Sequence, residues 1–167
     1  KESLLESIFG EAVNSFVEYS EAHIKETNSG IDSVRMLWKC YLDRFRDSSD
    51  IFVLIGIKNF IAPSFPLLRD PFDDSPRTPG DTMLDLLQKV IERGIQDGSL
   101  ETRFDAKTLS RTILIVSSGI VDNVARLPRD LRNMKLVIAE MRRVFEILLR
   151  GMAGPGVDRE QLNLSDL

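Results

Sequence analysis

An all-α antiparallel helical bundle is the fold class this sequence predicts, on three observations. Apolar residues recur at three- and four-residue spacing through most of the chain. No two strand-like runs exist to pair with one another, and a lone strand would leave its backbone groups unsatisfied. Capping residues, glycines and prolines interrupt the pattern at helix-length intervals. With 167 residues, 43% hydrophobic and 29% charged, the chain is long enough for one domain with its own core and reads as one.

The first element places Leu5, Ile8, Phe9, Ala12, Val13, Phe16 and Ile24 on one face, with Glu6, Glu11, Glu18, Glu21 and Lys25 on others. Thr27, Asn28, Ser29 and Gly30 form a turn cluster, and Gly30 is expected to take positive φ and stop the helix. From Ser33, the residues Val34, Leu37, Trp38, Tyr41, Leu42 and Phe45 give the clearest amphipathic helix of the chain. Asp47 to Asp50 break it. The segment from Ile51 to Ala62 is apolar on nearly every side, and its length favours a buried helix over a strand until Pro63 ends it.

Five of the seven prolines fall between Ala62 and Gly80, which predicts a long loop with one short helical turn near Phe65 to Leu68. Asp81 is expected to cap the next helix, whose face of Met83, Leu84, Leu87, Val90, Ile91 and Ile95 ends at Gly98. Asp105 caps a long helix running to about Leu127, built on Leu109, Ile113, Val116, Ile120 and Val124 and closed by Pro128. Asp130 is expected to start the last helix, with Met134, Ile138, Met141, Phe145, Leu148 and Met152 facing the core. Gly151, Gly154, Pro155 and Gly156 end it, and residues 154–167 are expected to form a mobile tail.

Several function classes are disfavoured. No apolar run reaches the roughly eighteen residues of a membrane span, and no export signal opens the chain, so the expected location is cytoplasmic with no membrane partner. Cys40 is the single cysteine, which excludes an intrachain disulfide and a cysteine-based zinc site. His23 is the only histidine and sits among Glu21, Lys25 and Glu26, the setting of a solvated side chain rather than a catalytic base. No Glu-x-x-His pair and no phosphate-binding loop is present; Gly94 and Gly98 read as helix terminators. A net charge of −4 argues against a broad phosphate-binding surface on these residues, Arg142 and Arg143 included. No enzyme activity, cofactor or metal is expected.

The stretch from Leu86 through the turn to Val124, with Gly94, Gly98, Leu100 and Asp105 at its landmarks, resembles the TetR family of transcriptional regulators. In that family an amphipathic helix ends in glycine, a short turn carries one apolar residue, and an aspartate starts the long penultimate helix. The opening Lys1 to Phe9 resembles the junction after the family's helix-turn-helix, and the order of elements agrees over residues 1–153. The resemblance implies a ligand-binding and dimerisation domain, with residues 1–27 as the helix connecting it to a DNA-binding head that is missing from this sequence. It implies a homodimer in which the last two helices of each copy form a four-helix bundle, a small hydrophobic or amphipathic effector, and operator DNA bound only through the head.

The candidate ligand pocket comprises Trp38, Cys40 and Tyr41 of the second helix, Phe52, Ile55, Asn59 and Phe60 of the buried segment, Met83, Leu87 and Ile91 after the loop, and Ser117, Val121 and Asp122 of the long helix. Asn59 and Asp122 stand out, because a polar group inside an apolar helix needs a partner in protein, water or ligand. Asp122 selects a cationic ligand or pairs with Arg126 at i+4. The candidate dimer interface comprises Ser118, Gly119, Asp122, Met141, Phe145, Leu148 and Met152; Gly119 costs about 1 kcal/mol relative to alanine in mid-helix, which close helix approach would justify. The alternative function is a helical protein-interaction module that senses no ligand.

Overall fold

The computed structural model describes residues 2–61 and 77–164, with the side chains of residues 2, 3, 5 and 59–61 excepted. Six α-helices form the described part: α1 (Glu2–Ile24), α2 (Gly30–Asp47), α3 (Ser49–Ile61), α4 (Pro79–Gln96), α5 (Ala106–Arg126) and α6 (Met134–Met152). Two 3-10 turns, Arg129–Leu131 and Arg159–Leu162, complete it. The proline-rich loop and its expected turn near Phe65 lie largely outside the described residues. No described helix is long and apolar enough to cross a membrane.

Local chemistry explains the boundaries and corrects several of them. Ser29, not a residue near Ser33, caps α2: its hydroxyl accepts the Asp32 N–H at 3.2 Å. Gly30 is therefore the first residue of α2 rather than the terminator of α1, and among the described residues only Gly98 takes positive φ, at 74°. Gly30 is needed for space, since a Cβ there would lie 2.1 Å from Gly94 Cα. Gly94 likewise sits inside α4 and does not end it; a Cβ there would meet Leu100 Cδ1 at 2.5 Å. Thr78 caps α4, with Pro79 following it, and Asp81 serves as the third helical residue by accepting the Thr78 N–H. Asn133 caps α6, accepting the Leu136 N–H at 3.2 Å, while Asp130 belongs to the preceding 3-10 turn. Asp105 caps α5 as expected, accepting the Thr108 N–H at 2.8 Å.

The core is built around α2, which packs against α4 and α6, with Leu109, Ile113 and Val121 of α5 and Phe16 of α1 joining it. Trp38 and Phe145 stack with ring centroids 5.0 Å apart and planes 8° from parallel. Val34, Phe45, Ile91, Met141 and Leu149 are fully enclosed around them. At one end of the bundle, α1, α2 and α4 are tied by polar groups. Arg93 donates to Thr27 O at 2.8 Å and to Ser33 Oγ at 3.0 Å. Asp97 accepts the Gly30 N–H at 2.7 Å, and Ser99 Oγ the Ile31 N–H at 2.9 Å. Burial opposes ionisation of Asp97, but hydrogen bonds from Ser99 and Gly30 outweigh it and hold the carboxyl below its ordinary pKa.

Of the expected mobile tail, residues 154–164 lie against the bundle, and residues 165–167 lie outside the described residues. Gly154 N–H donates to Ser99 O at 2.9 Å, Arg35 Nη2 donates to Asn163 O at 2.9 Å, and Leu162 and Leu164 are buried. Two leucines in a polar segment supply enough apolar area to dock it, which the surrounding glycines obscure.

Candidate functional site

Away from the Arg93 cluster, the bundle is less tightly filled. A two-lobed apolar cleft opens between α1, the C-terminal half of α2, α3, the start of α4 and α5. Both lobes share Val13, Tyr41, Phe52, Ile55 and Met83. The first lobe, of about 110 Å³, adds Phe16 and has Ser15, Arg44 and Ser48 at its rim. The second, of about 80 Å³, is completed by Phe9, Gly80, Leu114, Ser118 and Val121.

Helix periodicity builds this wall. Phe9, Val13 and Phe16 follow one another on the inner face of α1 at spacings of four and three. Tyr41 sits at the middle of the cleft, edge-on to Phe16 at 6.0 Å, to Phe52 at 5.2 Å and to Phe145 at 5.8 Å. It thus joins the cleft to the core. Burial pushes the Tyr41 phenol well above its ordinary pKa, and the Asp122 carboxylate adds to the shift, so the ring stays neutral. Gly56 lets α3 lie close on α5, since a Cβ there would meet Ala125 Cβ at 2.6 Å.

Of the sequence-predicted pocket residues, Tyr41, Phe52, Ile55, Met83 and Val121 meet in the cleft. Trp38, Leu87 and Ile91 do not; they are buried core between α2, α4 and α6. Cys40 is also buried, and burial pushes its thiol up, with the adjacent Ser20 hydroxyl offsetting only part of this. Ser117 is turned back onto its own helix, donating to Ile113 O at 2.9 Å. Asp122 Oδ1 is buried and accepts no hydrogen bond among the described residues. The side chains of Asn59 and Phe60 lie outside the described residues.

The predicted dimer set divides in the same way. Met141, Phe145 and Met152 are enclosed within the single chain, in the cluster they form with α2 and the C-terminal segment. Leu148 is half-buried, and Ser118 faces the cleft. Gly119 has nothing within 4 Å of the position a Cβ would take. His23 is half-buried rather than fully solvated; its Nδ1–H donates to Tyr19 O at 2.7 Å.

Sequence reasoning missed Phe9, Val13, Phe16, Arg44 and Leu114. The α1 residues were legible as an apolar stripe, but a stripe does not say whether it meets side chains or a void. Among the described residues, no group of three or more histidine, cysteine or acidic side chains is placed to hold a metal ion. Comparison with protein-family profiles, curated proteins and solved structures gives no match.

Proposed function

We propose that this chain is the effector-sensing and dimerisation part of a TetR-like transcriptional repressor. The observation that carries the reading is the apolar cleft, one wall of which is the N-terminal half of α1. A hydrophobic or amphipathic effector in the cleft touches Phe9, Val13 and Phe16 directly. It favours one relation of α1 to the bundle, and through it the spacing of DNA-binding heads joined ahead of α1. The effector must bind the two arrangements unequally, or nothing shifts.

Dimerisation is supported by exposed apolar side chains on the outer faces of the last two helices. Ile115 is 48% exposed, Leu136 55% and Ile147 69%. Gly119 and Gly151 leave open space beside them, allowing close approach of helices from a second copy. This surface replaces the enclosed methionines and Phe145 as the proposed interface.

A thermal-shift screen of small hydrophobic compounds tests the sensor, because a ligand that binds the folded state raises the melting point by mass action. Stabilisation accompanied by slowed amide exchange in residues 2–24 is expected. If no compound stabilises the chain, it is a helical interaction module without a ligand. Sedimentation at micromolar concentration is expected to give a dimer; a clean monomer overturns the interface.

A further inference from the structure

The shape and electrostatics of the cleft restrict its occupant further, an inference that rests on the sensor reading. Each lobe is well below the roughly 300–1,000 Å³ of a site for a drug-sized molecule. A narrow two-lobed space lined by apolar side chains suits a slender flexible chain better than a fused-ring compound.

The rim of the first lobe carries the head-group chemistry. Arg44 lines it, with its guanidinium 4.8 Å from the centroid of the Tyr19 ring and Nη2 donating to Ser15 Oγ at 3.3 Å. These contacts position the side chain without neutralising it. Its acidic neighbours are engaged elsewhere: Asp43 holds Lys39 at 3.0 Å and Arg46 at 3.1 Å, and Asp47 holds Arg46 at 3.0 Å. Among the described residues no carboxylate lies within ion-pair distance of Arg44. A guanidinium at the mouth of an apolar cleft, bonded to the Ser15 hydroxyl and with Ser48 lining the same lobe, matches a carboxylate attached to an alkyl chain.

We propose that the cleft binds a single-chain aliphatic carboxylate, with its head group on Arg44 and its chain running past Tyr41 and Ile55 into the lobe closed by Phe9 and Leu114. The chain then packs directly against α1. Each methylene taken into the cleft strengthens binding roughly fourfold, and the guanidinium separates an acid from an alcohol of equal length. Asp122 supplies the competing chemistry: it lines neither lobe, but its buried Oδ1 accepts no hydrogen bond among the described residues and its charge reaches Tyr41 at the middle of the cleft.

Calorimetric titration of the whole chain with decanoate, decanol and decyltrimethylammonium decides between them. Decanoate is expected to bind roughly tenfold or more tighter than either of the others. Arg44→Gln is expected to lower decanoate affinity far more than decanol affinity and so to remove that advantage, and Arg44→Lys to retain part of it. Added salt is expected to weaken decanoate and not decanol in the unmodified protein, a test that does not depend on how well the variants fold. Equal affinity for decanoate and decanol overturns the role of Arg44 while leaving the sensor reading intact. Preference for the ammonium compound also overturns it and makes Asp122 the selecting group. Binding of none of the three removes both this proposal and the hydrophobic pocket on which it rests.

Discussion

The two ends of the α1, α2 and α4 layer are built differently. At one end Gly30 and Gly94 bring helices into backbone contact, and Arg93, Asp97 and Ser99 fix the register of α1 and α2 against α4. At the other, Phe9, Val13, Phe16 and Met83 surround a cleft instead of filling it, and Arg44 has no carboxylate within ion-pair distance among the described residues. At the first end Arg93, Asp97 and Ser99 are engaged by the chain's own backbone and hydroxyl groups. The second leaves apolar walls and an unneutralised cation. The polar ties and the open apolar space thus lie at opposite ends of the same helices.

The contrast predicts a large difference between two truncations. Phe145→Ala removes a fully enclosed ring stacked on Trp38 and is expected to cost about 3–5 kcal/mol in urea unfolding. Met83→Ala, at a half-buried position lining an existing cleft, is expected to cost roughly 1 kcal/mol. Equal costs would mean that the cleft end is packed as tightly as the core.

Two glycines sharpen the same comparison with effects of opposite sign. Gly30→Ala drives a methyl into the α4 backbone and is expected to destabilise by about 1–3 kcal/mol. Gly119→Ala meets no atom and is expected to stabilise the single chain by up to about 1 kcal/mol. Measured above and below the concentration at which copies associate, Gly119→Ala should gain stability only in the dilute sample if the outer face of α5 is an interface.

Acid brings out the smallest effect. Asp105 is held below its ordinary pKa by hydrogen bonds from the Thr108 backbone and hydroxyl, and Asp97 is lowered as well. A carboxyl with a depressed folded-state pKa contributes stability above its unfolded value of about 3.9. That contribution is lost as pH falls through the folded-state value. Urea midpoints should therefore fall below about pH 4, and Asp97→Asn or Asp105→Asn should flatten that decline; an unchanged slope would show that the caps do not titrate with folding.

The sequence by itself determined the all-helical class, because three- and four-residue periodicity and capping chemistry are local. Val34, Leu37, Trp38 and Phe45 were legible as core from spacing alone, and Asp105 as a cap from its position before an apolar run. Tertiary structure decided the rest. Gly30 and Gly94 look like terminators in one dimension and prove to be contact points between helices, since close approach depends on a residue more than sixty positions away. Met141 and Phe145 could face either the chain's own core or another copy until α2 and the tail were seen to cover them. The cleft lay furthest from view: an apolar stripe specifies that a face leaves water, but whether it meets side chains or space depends on the combined volumes of five helices, which no local pattern contains.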